Sequence, residues 1–595
     1  MTLASQVVYR VVWSAVSGDL SAKDFAAHVE RRPDELFLAG RLAGVLISLF
    51  SIALIYLLGA SLFGATVGSI AALLLATNSY VILTSQHVVD PNLLAMTLVL
   101  AAMLPLIRGT GRLTPARAAC AGAFVGLAAA SKYIPLVLVL LFVPLCTRRE
   151  ETRWEVDWRA LSAGAVSALG VFVLASPFLV LDWRTTLHDV AIQRERHGAE
   201  WVGQTQFAFA LPTYLLETFP RTLGWVAYGL SLAGIARWLK TKTAWPIALA
   251  PALLLAVYGW LSVAQPRFLL PGYPFLILGA ALAIVWLSDL ATRGFSARWV
   301  SGGAMVILVL AAAFAPARDL LEARHDLKRP DSRREARRWI LGAVPPSQAL
   351  ATDVYGPVFN TRGRERPVAV WPFYATEANL VGVAYAPCWL EGISYYAISQ
   401  GVEGRFRVAA DRYRQEVAFY DWIRDVGRRV WDSSDLATSG PEISVWALPS
   451  ARWSKSTQDS LWDAGNRSPR DAARLSVWCL NMSEVTGSVG RPDLAMRWAS
   501  RGLPIARKDL RERFFAGLAV SWFDLDEPES VLAVTATGLE EYPGDAVMHL
   551  YRGMTLQAVG RGREAAHEYA ESLRLNPHQE GADRIRDQMR TLLTR

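Results

Sequence analysis

At 595 residues the chain is too long for one compact domain. Its mean hydropathy of +0.24 is high for a water-soluble protein. A net charge of +8 and a pI of about 9.3 would suit a nucleic-acid partner, but much of the basic charge sits in short loops between apolar runs, which is a membrane pattern and points away from nucleic acid. The cysteines Cys120, Cys146, Cys388 and Cys479 form no CxxC pair and no Cys/His cluster with metal spacing; Cys388 and Cys479 are the two that an oxidising compartment could join.

Residues 1–35 read as an amphipathic juxtamembrane segment. Charges such as Arg31, Arg32, Asp34 and Glu35 run through it, so it lacks the uninterrupted apolar core of a secretory signal. Apolar runs long enough to be read as membrane helices follow over 36–60, 65–84, 91–107, 115–130, 134–146, 160–181, 221–237, 244–262, 268–288 and 297–316. A span needs about 20 apolar residues, so 115–130 and 134–146 are short; they are two short spans around the polar break Ser131-Lys132-Tyr133, or one bent segment. The reading for 36–316 is thus a bundle of about ten helices.

Loop charge orients the bundle. One alternate set of loops carries Arg108, Arg112 and Arg117, then Arg148, Arg149, Arg153 and Arg159, then Arg237, Lys240 and Lys242, then Arg293 and Arg298. The opposite set is poorer in cations, apart from 182–206. The positive-inside rule places the basic loops in the cytoplasm. The visible N-terminus and everything beyond residue 316 then lie outside, an arrangement that asks for an upstream helix.

Residues 317–450 read as a mixed α/β segment. Asp331–Ile340 is a charged amphipathic helix, and Ala349–Tyr355, Val368–Phe373, Ile393–Ile398 and Ile443–Leu448 are strand-like. Residues 451–595 read as three helical repeats. Pro543 and Pro577 lie 34 residues apart, as do Ala519 and Gly553, and Val531 and Ala565. Gly553, Ala565, Tyr569 and Pro577 stand where a tetratricopeptide repeat needs small residues, an aromatic filler and a helix-ending proline. An earlier unit surrounds Ser483, Ala495 and Gly502. Such repeats suggest a protein partner; the alternative is that they simply pack on the rest of the chain.

Charges near a bilayer are costly and therefore informative. On the outer side of this topology fall His87 and Asp90, Lys132, the loop with Asp182, His188, Asp189, Arg194, Glu195, Arg196 and His197, and Arg267. Their convergence suits an outward-facing site for an anionic, membrane-borne substrate. Each has a plainer reading. Asp90-Pro91 can cap a helix, Lys132 and Arg267 can snorkel to lipid phosphates, and 182–206 can be an interfacial helix.

The order of motifs resembles the polyprenyl-phosphate-dependent glycosyltransferases of GT-C fold, of the protein mannosyltransferase (family 39) and aminoarabinose transferase kind. The motifs are Arg41-Leu42, Leu57-Leu58-Gly59 and Phe63-Gly64; Ser85-Gln86-His87-Val88-Val89-Asp90; and Gly126-Leu127 with Ala130-Ser131-Lys132-Tyr133. They continue with Ser176-Pro177-Phe178 through Asp182, and with Arg267-Phe268-Leu269-Leu270-Pro271-Gly272-Tyr273-Pro274, the most specific. Asp331, Ala336, Trp339-Ile340 and Pro345 resemble the start of the family's extracytoplasmic domain, so the resemblance covers roughly residues 10–450.

The resemblance implies a mainly α fold: a polytopic GT-C bundle, a small α/β extracytoplasmic segment, and here a TPR-like helical domain. It implies an inverting transfer from a polyprenyl-phosphate-linked sugar to a lipid, glycan or protein hydroxyl, in a bacterial inner membrane. A carboxylate would be the base, and cations, in some members with a divalent metal, would neutralise the leaving phosphate. By motif, Asp90 with His87 is the catalytic pair, Lys132, Arg267 and Tyr273 face the donor phosphate, and Asp182, Arg194, Arg196 and His197 lie in a donor or acceptor loop. The family's principal acidic loop follows a first helix that has no counterpart here. Leu3 to Val16 resembles the segment after that loop, and Asp19, Asp24, Asp34 and Glu35 substitute poorly. The expectation is a start lying upstream of Met1. The competing readings are an inactive membrane scaffold acting through its repeats, and a transporter, which would call for internal repeats in the membrane half.

Overall fold

The computed structural model describes Phe25, 28–29, 33–86, 90–107, 113–150, 153–198, 201–203, 209–241, 245–261, 264–292, 298–359, 367–373, 382–450, 455–465, 469–579 and 581–594. The chain forms two compact units, residues 1–198 with 206–325, and residues 199–205 with 326–595.

The first unit is helical. Four helices are long and apolar enough to cross a membrane: Glu35–Phe63, Trp158–Ala175, Pro266–Ala291 and Gly302–Lys328. A fifth candidate is the pair Ala65–Ala76 and Ser79–Ser85, bent by 60°. Pro91–Ile107, Ile134–Cys146 and Trp245–Gly259 are apolar but shorter. Among the described residues several of the apolar runs are bent or interrupted, for local reasons. The 65–84 run bends at Thr77-Asn78, because the Asn78 side chain caps the next helix by accepting from the Val81 N–H at 3.0 Å. The 160–181 run stops at Ala175, since a residue before proline, here Ser176, is pushed out of the helical region. The 221–237 run breaks at Gly224, whose φ of +82° suits only glycine, and restarts as Trp225–Trp238. The basic loop after Cys146 folds into an antiparallel hairpin, β1 (Thr147–Glu150) with β2 (Arg153–Val156).

Packing in this unit uses small residues. Gly122 and Gly126 on the Pro115–Ser131 helix sit against the backbone of Gly164 and Ala168 on Trp158–Ala175, so close that a Cβ on either would meet a carbonyl oxygen. Gly234 and Gly279 do the same for Trp225–Trp238 and Tyr273–Thr292. Where lipid tails surround a bundle, close backbone approach is what drives helix association. The outer surface fits that solvent: Leu46, Leu49, Phe50, Val166, Leu169, Leu174, Ile307, Leu310 and Phe314 are all exposed.

The second unit holds a five-stranded sheet in the order β4-β3-β5-β7-β6, with β3 Leu350–Asp353, β4 Ala369–Trp371, β5 Tyr395–Ser399, β6 Arg428–Asp432 and β7 Ile443–Ala447. β3 runs parallel to β4 and β5, and the β5–β7 and β7–β6 pairs are antiparallel. Asp331 caps the helix Ser332–Ala343, accepting from Arg333 N–H at 2.8 Å. Three helix pairs follow, Pro469–Ser488 with Pro492–Gly502, Lys508–Asp524 with Pro528–Glu541, and Ala546–Ala558 with Gly562–Leu575, closed by Ala582–Thr594. The first pair shares a core with the sheet. Trp371 of β4 meets Trp478 edge-on at 5.2 Å, and Trp478 meets Trp498 at 5.0 Å. Cys388 and Cys479 are both buried and both free, so the disulfide considered for them is absent.

In the last pair a glycine and an aromatic ring interlock. A Cβ on Gly553 would lie 2.9 Å from the ring of buried Tyr569, whose hydroxyl donates to Gln557 Oε1 at 2.7 Å. Gly553→Val is expected to cost about 1–3 kcal/mol, read as a lower thermal midpoint of the purified protein, because overpacking displaces the filler aromatic.

Asp353 ends β3 in full burial. Its Oδ1 accepts from the Tyr396 and Tyr420 hydroxyls, both at 2.8 Å, and its Oδ2 from the Ser399 N–H at 2.8 Å. Burial pushes this carboxyl up to about 7 against the pull of those three donors. A carboxyl raised on folding stabilises the fold when protonated, so its contribution is complete below about pH 4 and is lost as pH rises through 7. Amide exchange in β3 and β5, corrected for intrinsic rate, is therefore expected to be slower at pH 5.5 than at pH 8, and Asp353→Asn should flatten the difference.

Candidate functional site

Three of the charged residues singled out in the sequence come together in the first unit. Asp90 precedes the helix Pro91–Ile107 and caps it, accepting from the Asn92 N–H at 2.7 Å. Proline at the first helical position suits this geometry, having no N–H to satisfy. The plain reading of Asp90-Pro91 is therefore correct, but incomplete. The same Oδ1 also accepts from Asn92 Nδ2 at 2.7 Å.

Lys132 terminates the neighbouring helix. It is extended, with φ −158°, and its N–H closes the last turn onto Ala128 O at 2.9 Å. Ser131 Oγ donates to Pro91 O at 2.8 Å, which joins this helix end to the start of 91–107. The Lys132 ammonium then donates to Asn92 Oδ1. It also lies 4.1 Å from the centre of the Phe268 ring and 5.7 Å from that of Tyr258. The two rings are stacked at 5.4 Å, and Arg267 lies over the same Phe268 ring at 5.9 Å. Asp90 and Arg267 are both within electrostatic reach of Lys132. Tyr258 is 1% exposed, and its hydroxyl has no hydrogen-bond partner among the described residues.

The remaining expectations fare differently. Tyr273 packs in the core of the first unit. It is fully buried, stacked on Tyr80 at 5.8 Å and against Phe219 at 5.8 Å, with its hydroxyl 2.7 Å from Thr222 Oγ1. In this packing its hydroxyl is taken up by Thr222. Asp182 is exposed and accepts from Thr185 N–H at 3.3 Å, at the head of the helix Trp183–Gly198. Arg194, Arg196 and His197 lie on that helix; their side chains, and the whole of His87, lie outside the described residues. Sequence reasoning missed Asn92 and Tyr258, and gave Phe268 no role.

Among the described residues, no three of His, Cys, Asp and Glu cluster to hold a metal ion. Asp90, with the Lys132 ammonium in electrostatic reach, is a poor start for a divalent site.

Two solved structures resemble the fold at low identity. The archaeal oligosaccharyltransferase AglB from Archaeoglobus fulgidus aligns at 12% identity over 88% of this chain and 78% of its own, with a TM-score of 0.42. ArnT from Cupriavidus metallidurans aligns at 13% identity over 69% and 83%, with a TM-score of 0.42. No curated protein matches by sequence. A family model does: the stretch containing Asp90, Asn92 and Lys132, residues 34–180, matches the family described as dolichyl-phosphate-mannose-protein mannosyltransferase, which is the resemblance the motifs carry.

Proposed function

We propose that the chain is a GT-C type membrane glycosyltransferase that moves a sugar from a polyprenyl-phosphate donor to a lipid, glycan or protein hydroxyl, with inversion. The observation that carries this reading is the Lys132 ammonium, held by Asn92 and the Phe268 face beside Arg267. A cation in that setting suits a lipid-linked phosphate. The acceptor oxygen would form its bond to C1 as the C1–O bond to phosphate breaks. The bond pair leaves with polyprenyl phosphate, and the acceptor proton passes to a carboxylate. Lys132 and Arg267 would offset the charge that grows on the phosphate.

Loop charge supports a site and a second unit on the extracytoplasmic side of a bacterial inner membrane. The helix pairs of 469–575 are then a surface for a protein acceptor or partner. The test offers the purified full chain a panel of polyprenyl-phosphate hexoses and pentoses, labelled in the sugar, with membrane extract. Label leaving the organic-soluble donor for an acceptor is expected. Label that stays in every donor would overturn the proposal.

A further inference from the structure

Among the described residues, Lys132 is held by neutral groups. Its hydrogen-bond acceptor is the amide oxygen of Asn92, and its cation–π partners are Phe268 at 4.1 Å and Tyr258 at 5.7 Å. The nearby carboxylate, Asp90, reaches it through Asn92: Asp90 Oδ1 takes the Asn92 amide hydrogen at 2.7 Å, and Asn92 Oδ1 takes a Lys132 proton. The orientation of that amide is fixed by chemistry. A carboxylate needs a donor and an ammonium needs an acceptor, so only one way round satisfies both. Asn92 is 3% exposed, its backbone N–H is tied to the same Asp90 oxygen, and Ser131 pins the Lys132 end to Pro91.

This differs from an ion pair in its consequence. A carboxylate in direct contact would bind the ammonium strongly and cancel its charge. An interposed amide, polarised by that carboxylate, holds the ammonium in place and leaves its charge available. An aromatic face does the same. A cation fixed without being neutralised is suited to receive an anion.

We propose that Asn92 is the positioning residue of the phosphate site: it relays Asp90 to Lys132 and fixes the ammonium over Phe268 without discharging it. This rests on the reading of Lys132 as a phosphate-binding residue. It makes Asp90 a positioning group as well, acting two contacts away from the Lys132 ammonium.

The test is a double-mutant cycle on equilibrium binding of undecaprenyl phosphate to the purified full chain. It uses Lys132→Ala, Asn92→Asp, Asn92→Leu and each Asn92 change combined with Lys132→Ala, with gel filtration and thermal melting on every variant. Each Asn92 change is expected to weaken binding about ten-fold in the wild-type background. Neither should weaken it further once Lys132 is Ala. Asn92→Asp is the sharper variant, since it is near-isosteric and sets a carboxylate against the ammonium; it carries the test if Asn92→Leu does not fold. Additive losses, or Asn92→Asp binding as wild type, would overturn the relay and leave the phosphate site standing. Undiminished binding by Lys132→Ala would overturn the phosphate site itself.

Discussion

Lys132→Ala is expected to lower turnover of a polyprenyl-phosphate sugar by about 100- to 1,000-fold, the usual cost of removing one preorganised group that stabilises developing charge. The size follows from the setting. The ammonium ends a short polar break between apolar segments, between the amide of Asn92 and the ring of Phe268. The half-buried side chain is less screened there than at an ordinary surface. Lys132→Arg keeps the charge but replaces a compact ammonium by a planar fork, and should lose about ten-fold. A lysine that merely snorkels to lipid headgroups predicts something else: Lys132→Arg silent, and Lys132→Ala changing stability more than turnover. Steady-state turnover beside a melting curve separates the two.

Gly122→Leu is expected to damage the bundle severely, by several kcal/mol, at or beyond the upper range for overpacking. The first added carbon already falls on the carbonyl of Gly164, and the neighbouring contact, Gly126 on Ala168, is equally tight. Ser167 Oγ donates to Ala119 O at 2.7 Å across the same interface, so the helices cannot separate without losing that bond too. Because Lys132 caps the end of this helix, any folded remnant should also lose its phosphate site. Yield of monodisperse protein in detergent is the measurement. Gly170→Leu on the partner helix is the control, since a side chain there meets open space and should be tolerated.

The candidate-site residues legible in the sequence are those that break a pattern. Asp90, Lys132 and Arg267 are charges at the edges of apolar runs, and the cost of placing them there marks them out. Asn92 has no such mark, since a polar residue in a first helical turn looks like helix capping. Only its contacts to Asp90 and Lys132, 40 residues apart along the chain for the latter, give it a role. Tyr273 shows the reverse: it stands in the most specific motif yet packs with Tyr80 and Thr222.

The fold divides similarly. The helices 33–63 and 91–107 follow from long apolar runs. The bend at Asn78 depends on a bond from its Nδ2 to Thr222 O at 3.0 Å, a partner distant in sequence. Strand β6 went unread because Arg428-Arg429-Val430-Trp431-Asp432 is an edge strand with little burial to give it a period, and it carries a register shift between Arg429 and Trp431. The hairpin 147–156 was hidden by its cations, which read as loop.

The most direct measurement is the release of free polyprenyl phosphate, followed by mass spectrometry, from polyprenyl-phosphate sugars incubated with the purified full chain and membrane extract. Release by the wild-type chain, reduced about 100-fold or more by Lys132→Ala, is the expected result. No release from any donor by well-folded wild-type protein, or equal release by Lys132→Ala, would contradict a transferase built around that lysine.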